Sequence, residues 1–103
     1  MDKNKGTIKM ITVTTVVSKP DNVESFYIPS AEFKSYRKTN FIDTNKISSH
    51  NWSTTGNQRT TIITFENESL MNEYYNDTTV LENSNLSAQY NATNNITYNK
   101  VIS

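Results

Sequence analysis

The chain has no cysteine, which excludes a disulfide-stapled scaffold, a thiolate nucleophile and every cysteine-ligated metal site. Only two Gly and two Pro occur in 103 residues, too few for a flexible linker or a low-complexity coil. No Gly-rich phosphate loop and no nucleophile elbow can be traced. Charge of one sign is missing as well, since ten Lys and Arg balance ten Asp and Glu. A net charge of zero offers no field that would gather nucleic acid or an anionic membrane, and it leaves little repulsion between copies. No apolar run approaches a membrane span, and the start Met1-Asp2-Lys3-Asn4-Lys5-Gly6 is too polar for the core of an export signal. The expectation is a cytoplasmic protein with no membrane partner. The sequons at Asn51, Asn67, Asn76, Asn85, Asn91 and Asn95 then follow from a chain with 15 Asn rather than from glycosylation.

What is present argues for folding. The hydrophobic fraction is only 34%, yet six Tyr, four Phe and one Trp occur, and disordered chains are poor in aromatics. A core this thin in a chain this short gains burial from a second subunit, so a homodimer is expected.

Thr7 to Ser18 is dominated by Ile, Thr and Val, the β-branched residues that favour strands. Ile11, Val13, Thr15 and Val17 share one face, and Met10, Thr12, Thr14 and Val16 the other. Asp21 and Glu24 have capping-box spacing, which would start a helix there, and Pro29 with Ser30 leaves the segment 21–39 as either one kinked helix or, the favoured form, a short turn followed by a helix carrying Phe33 and Tyr36. From Lys46 the pattern alternates again, with His50 and Trp52 on one side. Thr54 to Asn57 reads as a turn joining it to a strand from Arg59 to Glu66, with Thr61, Ile63 and Phe65 on one face. Asn67 starts a helix with Leu70, Met71, Tyr74 and Tyr75 on its stripe. The run 76–79 breaks it and caps another helix carrying Val80, Leu81, Ala88, Leu86 and Tyr90. After a turn at Asn94 and Asn95, Ile96 to Ile102 alternates as a last strand.

The order is the ferredoxin-like β-α-β-β-α-β order, an α+β two-layer sandwich with an antiparallel sheet, spanning 1–103 as a single domain. Right-handed crossovers place the first and third strands centrally. One sheet face is then left open, so Met10, Val16, Ile62 or Trp52 must find cover elsewhere.

With this length and order, the stretch Thr60-Thr61-Ile62-Ile63-Thr64-Phe65 followed by Asn67-Glu68-Ser69-Leu70-Met71-Asn72-Glu73-Tyr74 resembles the dimeric α+β barrel proteins, the group that includes antibiotic-biosynthesis-monooxygenase-like domains. The resemblance implies two sheets paired face to face as a barrel, sometimes with a pocket between sheet and helices. Its enzymatic members use an asparagine early in the first strand and a tryptophan near the second helix. Here no Asn occurs from 7 to 18, and the one tryptophan, Trp52, lies in the second strand.

Few residues carry a chemical signal of their own. His50 is the only histidine and is the candidate acid or base; as a strand residue between polar neighbours it needs no such role. Trp52 and Tyr98 suit either a ligand cavity or a subunit interface, where aromatics are enriched. Glu66 with Glu68, and Glu73 with Asp77, are carboxylate pairs that lack further metal ligands. Lys34, Arg37 and Lys38 form a small basic patch, but the middle strands lack the aromatics that a base-stacking sheet requires. The expected protein is a homodimeric structural or protein-interaction domain without catalytic activity, cofactor, metal or nucleic acid, its interface built from Met10, Val16, Trp52 and Ile62. The alternative is a small-molecule binder or cofactor-independent monooxygenase-like enzyme with a pocket near His50, Trp52 and Tyr98.

Overall fold

A computed structural model describes residues 9–103; the first two residues of the expected opening strand, 7 and 8, lie outside them. Strand β1 (Ile11–Ser18) follows from its β-branched run. Pro20 ends it, and a turn at 21–22 follows, as the favoured broken form of 21–39 expects; the capping-box spacing at Asp21 starts no helix. Asp21 instead accepts a hydrogen bond from the Asn57 amide, and Val23 N donates to Pro20 O at 3.1 Å. Residues 23–30 carry no regular structure and form a strap, because Ile28 precedes Pro29 and is steered out of the helical region.

Ser30 caps α1 (Ala31–Arg37), accepting from Phe33 N at 3.1 Å. The helix runs on into one π-helical turn, Lys38–Ile42, closed by Asp43 N donating to Lys38 O at 2.8 Å. The wider turn swings Phe41 into the core beside Phe33, where both are buried. Strands β2 (Ser49–Thr55) and β3 (Gln58–Phe65) form a hairpin around Gly56 and Asn57. Gly56 has φ +58°, the first-position glycine of a II′-type connection. Asn67 caps α2 (Glu68–Asn76) through Leu70 N at 2.9 Å. Asp77 caps α3 (Thr78–Thr93) through Val80 N at 3.0 Å, so the helical break falls where the sequence places it. Asn95, at φ +58°, turns the chain into β4 (Thr97–Ile102).

The sheet order is β2-β3-β1-β4, all antiparallel. Residues directly opposite in antiparallel strands point the same way, so Val13, Ile63 and His50 share the helix side, as do Thr15, Thr61 and Trp52. The core gathers on that side from Val13, Ile63, Phe65, Phe33, Phe41 and Tyr74, with Ile47, Met71 and Val80. Aromatic edges lock it: Tyr74 meets Phe41 at 5.0 Å and 85°, and Tyr75 at 5.0 Å and 79°. Such pairs add ~0.5–1.5 kcal/mol each beyond their burial, which is how a chain poor in aliphatics builds a core.

The α+β two-layer sandwich stands, and the barrel does not. Among the described residues strand β1 pairs only with β3 and β4, β3 only with β1 and β2, and β2 and β4 are free edges. The sheet is open rather than curled into an α+β barrel. The connection from β3 to β4 also holds two helices, giving three α-helices in all among the described residues instead of the two of the simple β-α-β-β-α-β scheme.

Candidate functional site

The core fills one end of the space between sheet and helices, and short side chains leave the other end hollow. At mid-sheet the inward positions are Thr15 and Thr61. Facing them, the inner side of α3 carries Asn83, Ser84, Ser87 and Asn91. Neither surface is large enough to meet the other, and a cleft of about 470 Å³ opens between them. Its floor is completed by Val17, Ile63 and Arg59, and its rim on β2 by His50 and Trp52.

The strap closes over one side with Phe26, Tyr27 and Ile28. It is tied to α3 by polar contacts that include Tyr27 OH donating to Asn83 Oδ1 at 2.9 Å and Tyr90 OH donating to Ser25 O at 2.6 Å. Against the sheet it is held by Phe26, which is 6% exposed. The Arg59 guanidinium lies 4.8 Å from the Phe26 ring centre and 4.9 Å from that of Trp52, so one cation bridges strap and β2.

The charges of the cleft are of one sign. Lys34 and Arg37 from α1 and Arg59 from β3 line it, with no carboxylate among its lining residues. Among the described residues Arg37 Nε is buried without a hydrogen-bond partner, a state that ordinarily costs ~1–3 kcal/mol. Burial, and then the positive charge of Arg37, hold the His50 imidazole below its ordinary pKa. At neutral pH it is uncharged, with one N–H to give and one nitrogen to accept. Burial raises the Tyr74 phenol, with Arg37 pulling the other way. Tyr75 is raised by burial and then by Tyr74. Both phenols remain protonated donors at neutral pH.

Of the residues singled out from sequence, the cleft unites His50 and Trp52 but leaves out Tyr98. Tyr98 pairs with Val17 and so faces the same side, but it stands on edge strand β4, beyond β1, and is 63% exposed. Met10, Val16 and Ile62 belong to the opposite, open side, Val16 lying against Thr60 and Ile62 against Thr14 in register. Trp52 therefore cannot share one interface patch with them. Of the expected α3 stripe, Leu81 and Leu86 are exposed, because the helix turns its polar Asn83 and Ser87 inward. That polar row at helical spacing, together with Arg59 at an inward strand position, was the available signal for the cleft. The carboxylates have structural work: Glu73 pairs with Lys46, and Asp77 caps α3 and accepts from Tyr36 OH at 2.7 Å. No group of three metal-ligating side chains occurs among the described residues, and none of their helices is long and apolar enough to cross a membrane.

No family model matches the chain, and no curated protein does either. Its fold is similar to a crystal structure from Deinococcus radiodurans, a protein named as a candidate antibiotic biosynthesis monooxygenase. The TM-score is 0.54 at 10% identity, covering 90% of this chain and 89% of that one. The likeness defines the class of fold, an antibiotic-biosynthesis-monooxygenase-like α+β sandwich, and at this identity it concerns the fold alone.

Proposed function

We propose that the chain is a small-molecule-binding protein that takes its ligand in the cleft between the sheet and the α1/α3 layer. The observation that carries this reading is the cleft itself: about 470 Å³, within the span of small-molecule sites, with aromatic and aliphatic side chains beside converging polar groups. The fold shared with a protein named as a candidate antibiotic biosynthesis monooxygenase supports it. It displaces the structural homodimer as the leading reading, because a purely structural sandwich has no need of a hollow lined by arginines, a histidine and a tryptophan. Trp52 is the only tryptophan and stands on the rim, so its fluorescence reports occupancy. A panel of one- and two-ring aromatic compounds is expected to include members that change this emission saturably at micromolar concentration. A panel that leaves it unchanged at millimolar concentration overturns the reading.

The place of His50 on the cleft rim and the fold shared with a protein named as a candidate antibiotic biosynthesis monooxygenase favour a second reading, an enzyme that oxidises its ligand with dioxygen. Oxygen consumption dependent on a panel compound and lost in His50→Ala supports it; binding without consumption excludes it for that ligand. Homodimerisation is a separate proposal for the opposite face, where Met10, Ile62 and Val101 are exposed. Sedimentation of the wild type against Ile62→Glu tests it, a monomeric wild type being the contrary result.

A further inference from the structure

The balanced chain separates its charges by location. The main cleft carries Lys34, Arg37 and Arg59 and no carboxylate, whereas a second hollow of about 350 Å³, between α1 and α3, carries Glu32 and Glu82 and no cation. Cations gathered on low-dielectric walls focus their field into the hollow between them and raise the local concentration of anions. Two of the three are fixed in place: Arg59 lies over Trp52 and Phe26, with its Nε donating to Thr54 Oγ1 at 3.2 Å, and Arg37 lies 5.2 Å from the Phe33 ring centre. Among the described residues neither pairs with a carboxylate, and Arg37 keeps a buried donor without an acceptor.

The rest of the wall is partly uncharged polar, on Thr15, Thr61 and the inner side of α3, and partly aromatic or aliphatic, from Trp52, Tyr27, Tyr74 and Tyr75 to Ile63 and Val80. We propose that the ligand is a planar aromatic acid, its carboxylate held by Arg37 with Lys34 in support and its ring lying along the wall by Trp52. This rests on the small-molecule reading and deepens it. A guanidinium presents several N–H donors in a planar fork that matches a carboxylate, and the neutral His50 adds a donor without competing for the anion. A ring against the tryptophan face gains both apolar burial and the stacking that a flexible aliphatic acid would lack.

The test is a matched pair of probes, 2-naphthoate and the uncharged 2-naphthamide, titrated against wild type and Arg37→Met by Trp52 fluorescence in low and high salt. The acid is expected to bind about tenfold or more tightly than the amide, from one charge-assisted contact, with the advantage shrinking in salt and vanishing in Arg37→Met. Inorganic phosphate at equal concentration is expected not to displace it. Equal affinity of acid and amide for the wild type overturns the anion assignment while leaving the small-molecule reading intact, whatever the variant does. Displacement by phosphate alone overturns the aromatic part. Binding of neither probe, nor of any acid or neutral member of the wider panel, overturns both.

Discussion

Phe26 is where the irregular strap joins the sandwich, and Phe26→Ala tests whether strap and sheet fold as one unit. The side chain is 6% exposed, so truncation forfeits most of the ~1.5–3 kcal/mol that full burial of a large apolar side chain contributes. Losing the contact with Arg59 at 4.8 Å adds ~0.5–1 kcal/mol. The cavity penalty is smaller than in a rigid core, because residues 23–30 have no regular structure to resist collapse. Together these come to ~2–3 kcal/mol. Phe65, fully buried at the centre of the main cluster, would lose ~3–5 kcal/mol on the same change. Against a total stability of ~5–15 kcal/mol, Phe26→Ala should remain folded and measurable by urea denaturation. Far-UV circular dichroism would follow the whole domain while Trp52 emission, coupled through Arg59, follows the strap. Phe26→Leu should recover more than half of the loss. A loss below ~0.5 kcal/mol, with unchanged Trp52 emission, would refute the claim that the strap is packed onto the sheet.

Three further outcomes are expected. Asp77→Ala should cost ~1 kcal/mol through the lost cap on α3, while Asp77→Asn, which keeps a capping oxygen, should cost less than half as much in the same urea assay; equal losses would show that the cap is not the operative contact. Gly56→Ala should cost ~1 kcal/mol from its left-handed backbone alone, since nothing lies within 4 Å of an added Cβ; a neutral change would contradict the observed turn. His50 has a depressed pKa in the folded state, so between that value and the unfolded one of about 6.5 the unfolded chain binds the extra proton. Its contribution to stability is therefore complete above about pH 6.5 and falls with decreasing pH down to the folded pKa; the wild type should lose more stability than His50→Gln on going from neutral to mildly acidic buffer, and parallel profiles would exclude the effect.

Much of the sandwich was legible because its signals are local. The β-branched run of β1, the caps at Ser30, Asn67 and Asp77, and the turn at Asn95 each depend on residues within a few positions of one another. Pairing is not local, and features that depend on it leave no short-range signal. Asp21 and Glu24 have the spacing of a cap, but Asn57 across the hairpin and the downstream Pro29 decide the backbone there. Trp52 was grouped with Met10, Val16 and Ile62 because period two gives the faces of each strand but not which faces coincide; the register opposite Thr61 decides that. The barrel was inferred from resemblance, and nothing local could reveal that β2 and β4 end as free edges. For the site, His50 and Trp52 were found as rare residue types. By sequence Arg37 belongs to a basic patch with Lys34 and Lys38, and Arg59 marks only a strand boundary. Their convergence arises from the crossover that lays α1 over the sheet and from short Thr and Ser side chains whose importance is the space they leave.

The central claim is that ligand occupies the helix side of this sheet, and amide and side-chain chemical shifts of isotope-labelled protein test it most directly. On titration with a compound that quenches Trp52, the largest perturbations should fall on Thr15, Thr61, Ser87, the Arg37 guanidinium and the Trp52 indole, while Thr14, Val16 and Ile62 stay near their free values. Perturbations concentrated on Met10, Val16 and Ile62, or spread evenly without saturation, would contradict the account.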